Sequence, residues 1–290
     1  RKQSVKSAAV SNACNTLANA SRTKTSVGNT LQYGQQLRDL TTQVMAITPD
    51  LSSVSSADQI TITTLIDEIL WNCYDLSLYD YGAVLHTSIK DLRSLQHNTE
   101  TWIRILDHLG ANLRALRKFA DAHAVYDELF SLISTNHPKY YVYRSHLALL
   151  YYFEENDNIA LEICKKTLAH TNQDDPYYSY YEYYFARITN DTINSFNMSK
   201  QEQNNQIQTA INHLHHAIEH MDPIILSHEK QFKVHAFTAL SQSYSLTGEH
   251  TEAIKFSNKA LKSAQQALSP SHPDLITYRH NLLYSKKLAY

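Results

Sequence analysis

The chain has 290 residues, 43% of them hydrophobic, enough to bury a large core in one or two domains. Its 26 basic and 28 acidic residues leave a net charge of −2, which speaks against the basic excess of a direct nucleic-acid binder and against an acidic solvating tail. Five glycines and six prolines are too few for the frequent turns of a β-sandwich, and no glycine cluster follows an early strand as a dinucleotide site requires.

Residues 1–29 are rich in Ser, Thr, Asn, Ala and Lys, with small and sparse apolar positions, and read as a weak helix or an unstructured lead-in. Leu31, Leu37, Leu40, Val44 and Ile47 recur at helical spacing, which predicts a helix over 30–47. The stretch 48–58 (TPDLSSVSSAD) reads as a loop. Everything after it reads as helical, so the expected division is a lead-in over 1–58 and a helical domain over 59–290. The longest apolar run, 147–153, has seven residues, far below the ~20 of a membrane-spanning helix. Cys14, Cys73 and Cys164 are odd in number, widely spaced and without a CxxC, which fits a reducing compartment. The chain starts at Arg1, not at Met, and is read as a piece of a longer protein.

Four prolines punctuate the helical part: His137-Pro138, Asp175-Pro176, Asp222-Pro223 and His272-Pro273, at intervals of 38, 47 and 50 residues. Each separates a polar stretch from a helix-period segment. Proline is tolerated at a first helical position because its missing N–H has no partner there, so each is expected to open a helix. Four similar starts suggest an internal repeat.

A repeat is visible at residue level. Phe237-x2-Leu240-Ser241-x2-Tyr244 is followed by Gly248, Ala253-x3-Ser257 and Ala260. Leu106-x2-Leu109-Gly110-x2-Leu113 is followed by Phe119 and Ala122-x3-Tyr126; Leu147-Ala148-x2-Tyr151 by Ala160-x3-Cys164. Weaker copies join Leu70-x3-Tyr74 to Ala83, and Phe185-Ala186 to Ala210-x3-Leu214 and Ala217. Small residues at fixed points allow two helices to cross closely while large ones fill the flanks. The pattern resembles the tetratricopeptide repeat (TPR), and in the C-terminal part, with HPDL before a helix, its kinesin-light-chain style. Tryptophan at the fourth position is absent from every copy. The resemblance covers roughly residues 60–290. It implies an all-α, right-handed superhelical solenoid of about five helix pairs plus a terminal helix, its first helices lining a concave groove.

By the same resemblance, the second, fifth, sixth, ninth and twelfth positions of each first helix face that groove. These are Leu65, Glu68, Ile69, Asn72 and Asp75; Arg104, Asp107, His108, Ala111 and Arg114; Val142, Ser145, His146, Leu149 and Tyr152; Tyr180, Tyr183, Tyr184, Arg187 and Asn190; His235, Thr238, Ala239, Gln242 and Ser245; and Thr277, His280 and Asn281. Arg104, Arg114, Tyr180, Tyr183, Arg187, Gln242 and Asn281 are the expected partner contacts. Arg and Tyr concentrate at the energetic centres of interfaces, and an amide can both donate to and accept from a backbone. Three arginines favour a ligand with acidic residues; Asp75 and Asp107 temper that charge. The tyrosine-dense stretch 177–185 is expected to divide between packing and partner contact, because consecutive helical positions cannot all face one side.

Reactive chemistry has little support. His216 and His220 stand at i, i+4 within HLHHAIEH, but two ligands leave a metal incompletely held, and a solvated helix face is the plainer reading. Cys164 falls at a packing position with no base at a readable spacing. No enzymatic activity, cofactor or metal is therefore expected. The expected function is a non-catalytic scaffold for a protein or peptide in the cytoplasm, or in a host's cytoplasm were the chain part of a bacterial effector. The alternatives are the sensor domain of a peptide-sensing or nucleotide-switch regulator and the substrate-docking domain of a multidomain enzyme. Self-association is compatible with each.

Overall fold

The computed structural model describes residues 30–47, 55–75, 77–92, 99–221, 229–268 and 274–289. Among them every regular element is helical, and the chain divides into two compact units, Arg1–His137 and Pro138–Tyr290. The lead-in 1–29 lies outside the described residues.

The first unit holds α1 (Thr30–Ile47), α2 (Ser56–Asp75), α3 (Tyr79–Leu92), α4 (Thr99–Ala115) and α5 (Phe119–Leu132). Leu37 and Val44 of α1 are buried where that helix packs on α2 and α3. The α2–α3 and α4–α5 pairs match the first two repeat copies. Helix α2 starts inside the stretch read as a loop. Ser55 supplies the reason: its hydroxyl accepts from the backbone N–H of Asp58 at 3.2 Å, an N-cap. In the second pair, Gly110 sits against Tyr126, and a Cβ there would lie 2.8 Å from the ring. That close crossing is what the small-residue pattern requires. Asn112, fully buried, donates to the Leu70 carbonyl at 2.9 Å and so ties α4 to α2.

The second unit holds α6 (Tyr140–Phe153), α7 (Asp157–His170), α8 (Tyr178–Thr192), a 3-10 turn (Ile193–Ser195), α9 (Lys200–Glu219), α10 (Glu229–Thr247), α11 (His250–Ala267) and α12 (Asp274–Leu288). The pairs are α6–α7, α8–α9 and α10–α11, with α12 following. Ala148, Ala160, Ala186, Ala210, Ala217 and Ala253 are all 0% exposed, as alanines at helix crossings should be. Where α10, α11 and α12 meet, Ser241, Ser257 and Ser285 form a buried hydroxyl cluster with separations of 2.6, 2.9 and 3.3 Å. Ser241 also donates to the Ala253 carbonyl at 2.8 Å, so small polar residues close this crossing without an orphaned group.

Four pairs turn in the same way. Ser77, Arg117, Glu155 and Gly248 have φ of 58°, 58°, 65° and 83°. The next N–H reaches back five residues in each: Leu78 to Cys73, Lys118 to Leu113, Asn156 to Tyr151 and Glu249 to Tyr244, at 2.7–2.9 Å. This is the Schellman C-cap, with a left-handed residue stopping the first helix. The α8–α9 pair departs: its connector is the 3-10 turn and residues 196–199, after which Ser199 and Glu202 close a reciprocal capping box.

Pro138 and Pro176 stand elsewhere than expected. They lie two residues before α6 and α8, each directly after a turn, in which His137 N–H bonds the Ser134 carbonyl and Asp175 N–H the Asn172 carbonyl. Pro223 and Pro273 lie outside the described residues. Pro138 and Pro176 stand in the connections between pairs and do not occupy the first helical position.

Candidate interaction surface

Helical rotation places Tyr180, Tyr184, Arg187 and Asp191 of α8 in one row, at i, i+4, i+7 and i+11. At one end of this row the Tyr180 hydroxyl lies 2.6 Å from that of Tyr184 and 3.0 Å from Nε2 of His146 on α6. The Tyr180 ring stacks toward Phe232 of α10, centroids 6.4 Å apart. At the other end, Asp191 accepts from the Tyr152 hydroxyl of α6 at 3.0 Å and from Nε2 of Gln242 of α10 at 2.6 Å. Burial, and then the Asp191 charge, push the Tyr152 hydroxyl up to about 12, so at neutral pH it is a donor. Three consecutive first helices of the second unit thus share a polar and aromatic strip. The half-buried Arg187 lies along it, close enough for its charge to act on Tyr152 and on Tyr278 of α12.

The expected contact residues divide by exposure. Tyr180, Arg187, Gln242 and Asn281 are half-buried, with part of each side chain open. Tyr183 is buried at 5% exposure, its ring 5.3 Å from Phe232, so it fastens α8 to α10 and offers little to a partner. In the first unit Arg104 is half-buried and held by Asp67, whose Oδ2 accepts from Nε at 2.8 Å; His108 of α4 reaches the same carboxylate. Arg114 corrects the expectation most sharply. It is 3% exposed, donates to the Tyr74 hydroxyl at 2.9 Å and lies over that ring. It is a packing residue. Leu65, Ile69, Asp107, Val142, Ser145, Leu149, Tyr184, Asn190 and Ala239 are buried as well. His235, Thr277 and His280 stay exposed.

Most of the tyrosine-dense segment packs inward. Tyr178, Tyr181, Tyr183, Tyr184 and Phe185 are buried, and Tyr177 and Tyr180 remain half-open. The histidine cluster is also resolved into packing. Nδ1 of His213 and of His216 lie 2.9 and 2.7 Å from the two oxygens of Glu182, whose side chain is 3% exposed. His220 stacks on His216 with centroids 4.1 Å apart. These histidines are not simply a solvated face: two of them close off a buried carboxylate. Among the described residues no group of three or more His, Cys, Asp or Glu is placed to hold a metal ion. Cys73 and Cys164 are buried, and burial pushes both thiols up to about 12. Among the described residues no helix is long and apolar enough to cross a membrane.

Sequence reasoning did not single out Asp191, Glu182 or Asn112, and it placed Asn190 only among the groove-facing positions. Asn190 donates to the Ala239 carbonyl at 3.0 Å, as Asn112 does to Leu70. A polar residue at a position otherwise filled by apolar ones is the signal that finds such groups.

The tetratricopeptide repeat family model matches residues 234–274, which cover α10 from its sixth residue, all of α11 and the first residue of α12. No curated protein matches the chain. A solved chain of Podosopora anserina with nearly identical TPR-like repeats, of the kinesin-light-chain kind, is similar at 16% identity and a TM-score of 0.46, over 64% of this chain and 86% of that one. Residues 234–274 are thus similar to the tetratricopeptide repeat, and the α2–α3, α4–α5 and α6–α7 pairs share the left-handed turn found in that segment.

Proposed function

We propose that the chain is a non-catalytic scaffold whose first-helix face in the second unit holds an extended segment of another protein. The observation that carries this reading is the strip running from His146 and Tyr180 to Asp191 and Gln242. Its side chains are held in place by one another and still partly open. Residues already ordered lose little entropy on binding, and tyrosine offers large contact area with a polar tip. Tyr180, Arg187, Gln242 and Asn281 are the contacts, and Arg104 serves the same role in the first unit. Arg187 stands one turn from Asp191, and Arg104 is paired with Asp67, so the fitting ligand has mixed polarity with acidic residues placed opposite Arg187. This activity belongs in the cytoplasm, a host's included. The regulator and enzyme-docking alternatives would use the same face in the service of another domain.

The test is capture on the immobilised chain. A partner held by the wild type is expected to be lost from Arg187→Glu and from Tyr180→Ala, and kept by Gln208→Ala on the exposed side of α9. Retention by both face variants, with helical content unchanged, would remove this face as the site.

A further inference from the structure

One helix pair breaks the common turn, and a cavity lies where it does. In the four other pairs a single left-handed residue returns the chain at once. Between α8 and α9 the chain instead runs through Ile193–Ser195 and residues 196–199 before the helix resumes. A cavity of about 410 Å³ is left between this longer connector, α7 and α9, a size that suits a small ligand or the end of a peptide. The less exposed part of its lining is apolar: Leu161 of α7 is 6% exposed, and Phe196 and Met198 of the connector are half-buried. The polar part holds the amides of Asn158, Asn197 and Gln206. The connector is braced. Met198 N–H bonds the Phe196 carbonyl at 2.9 Å, and Nε2 of Gln206 donates to the Met198 sulfur at 3.2 Å. The reciprocal capping box of Ser199 and Glu202 fixes its end. A ligand therefore meets a cavity that is already ordered, which lowers the entropy lost on binding.

Charge narrows what fits. Asn158, Glu162 and Lys165 stand at i, i+4 and i+7 on one face of α7, and all three are exposed. Glu162 is already paired: its Oε1 lies 2.5 Å from the Lys166 ammonium, which holds the carboxyl below its usual value and so keeps it ionised. Lys165 has no ion-pair partner among the described residues. One positive charge is thus left over, beside amides that can donate and accept. A carboxylate joined to a peptide group and to one large apolar side chain meets all three features, and the last residue of a polypeptide has that construction. An aromatic ring is the best filling, because thioether sulfur packs favourably against it. We propose that this cavity binds the free C-terminus of a partner protein ending in phenylalanine or a similarly large apolar residue. The side chain lies against Leu161, Phe196 and Met198, the amides hold the last peptide groups, and the carboxylate pairs with Lys165. None of these residues belongs to the first-helix strip, so either site can fail without the other.

The proposal is tested on the full chain labelled with ¹³C-methyl methionine. Its three methionines, Met45, Met198 and Met221, give three methyl signals, and among them Met198 lines the cavity. The probe is the N-acetylated peptide Gly-Ser-Gly-Ser-Phe with a free C-terminus. Titration is expected to shift the Met198 methyl saturably, through the ring current of the bound phenylalanine, and to leave Met45 and Met221 in place. The C-terminal amide of the same peptide should bind about fivefold more weakly, the loss of one exposed charge pair. A twin ending in alanine should bind at least about tenfold more weakly, for want of the buried ring. Lys165→Glu should weaken the free acid by about tenfold, since it replaces attraction by repulsion. Lys262→Glu on α11, the same charge change at another exposed site, should leave binding as it was. Both lysines are exposed, so circular dichroism should stay unchanged. A Met198 signal that does not move, equal binding of acid and amide, equal binding of the phenylalanine and alanine peptides, or indifference to Lys165→Glu overturns the proposal. So does 3-phenylpropionate binding as tightly as the peptide, which assigns the cavity to a small carboxylic acid.

Discussion

Single residues decide how closely these helices approach. Gly110 has the Tyr126 ring against it, and that tyrosine is fully buried. Gly110→Ala gains helix propensity of about 1 kcal/mol but forces a buried ring to move, and overpacking costs about 1–3 kcal/mol. The variant is expected to unfold at lower urea concentration, as is Ala253→Leu, while Gln208→Ala on an exposed surface leaves the midpoint in place. A small residue at a close crossing was legible in the sequence because its spacing to the next helix repeats. The partners of Glu182 were not. HLHHAIEH showed histidines at helical spacing, but the carboxylate that they cover lies on another helix, 31 and 34 residues away. Replacing both His213 and His216 by alanine leaves that carboxylate without these partners and should cost about 2–4 kcal/mol, measured by denaturant titration. Cys164, buried and with its thiol raised to about 12, should resist alkylation at pH 8 in a Cys14→Ser background and react once the chain is unfolded.

At the scale of the element, the turns are the repeat's most regular feature. Only Gly248 announced itself in the sequence. Its equivalents are Ser77, Arg117 and Glu155, residues that reach the left-handed region at a cost of roughly 1–2 kcal/mol. Composition could not reveal them, since nothing in a Ser, an Arg or a Glu signals positive φ. Glu155→Gly relieves that strain while loosening the unfolded chain. It is expected to raise stability by about 0.5–1 kcal/mol in thermal unfolding, and Glu155→Ala is not. Pro138 and Pro176 were read at the right boundaries and two residues off, because each directly follows a turn closed by the Ser134 or Asn172 carbonyl and precedes its helix by two residues. Helix starts at Ser55 and Ser199 were readable as S-x-x-D and S-x-x-E, a signal the polar composition of 48–58 obscured.

At the scale of the molecule, each unit buries its apolar residues between helix pairs and leaves a side of the first helices to polar and aromatic groups. The repeat register assigned positions to that side and did not tell which of them would be buried. Arg114 and Tyr183 went inward because Tyr74 and Phe232 stand against them; Tyr180, Arg187, Gln242 and Asn281 kept part of their surface. The claim that this side is where a protein segment binds is tested most directly by photocrosslinking. A benzophenone amino acid is placed at Tyr180 or at Asn281, and in control chains at Ile159 of α7 or Gln208 of α9, both exposed. Crosslinks to one partner species from positions 180 and 281, and none from 159 and 208, are the predicted result. Crosslinks to that species from 159 and 208, with 180 and 281 silent, would contradict the account.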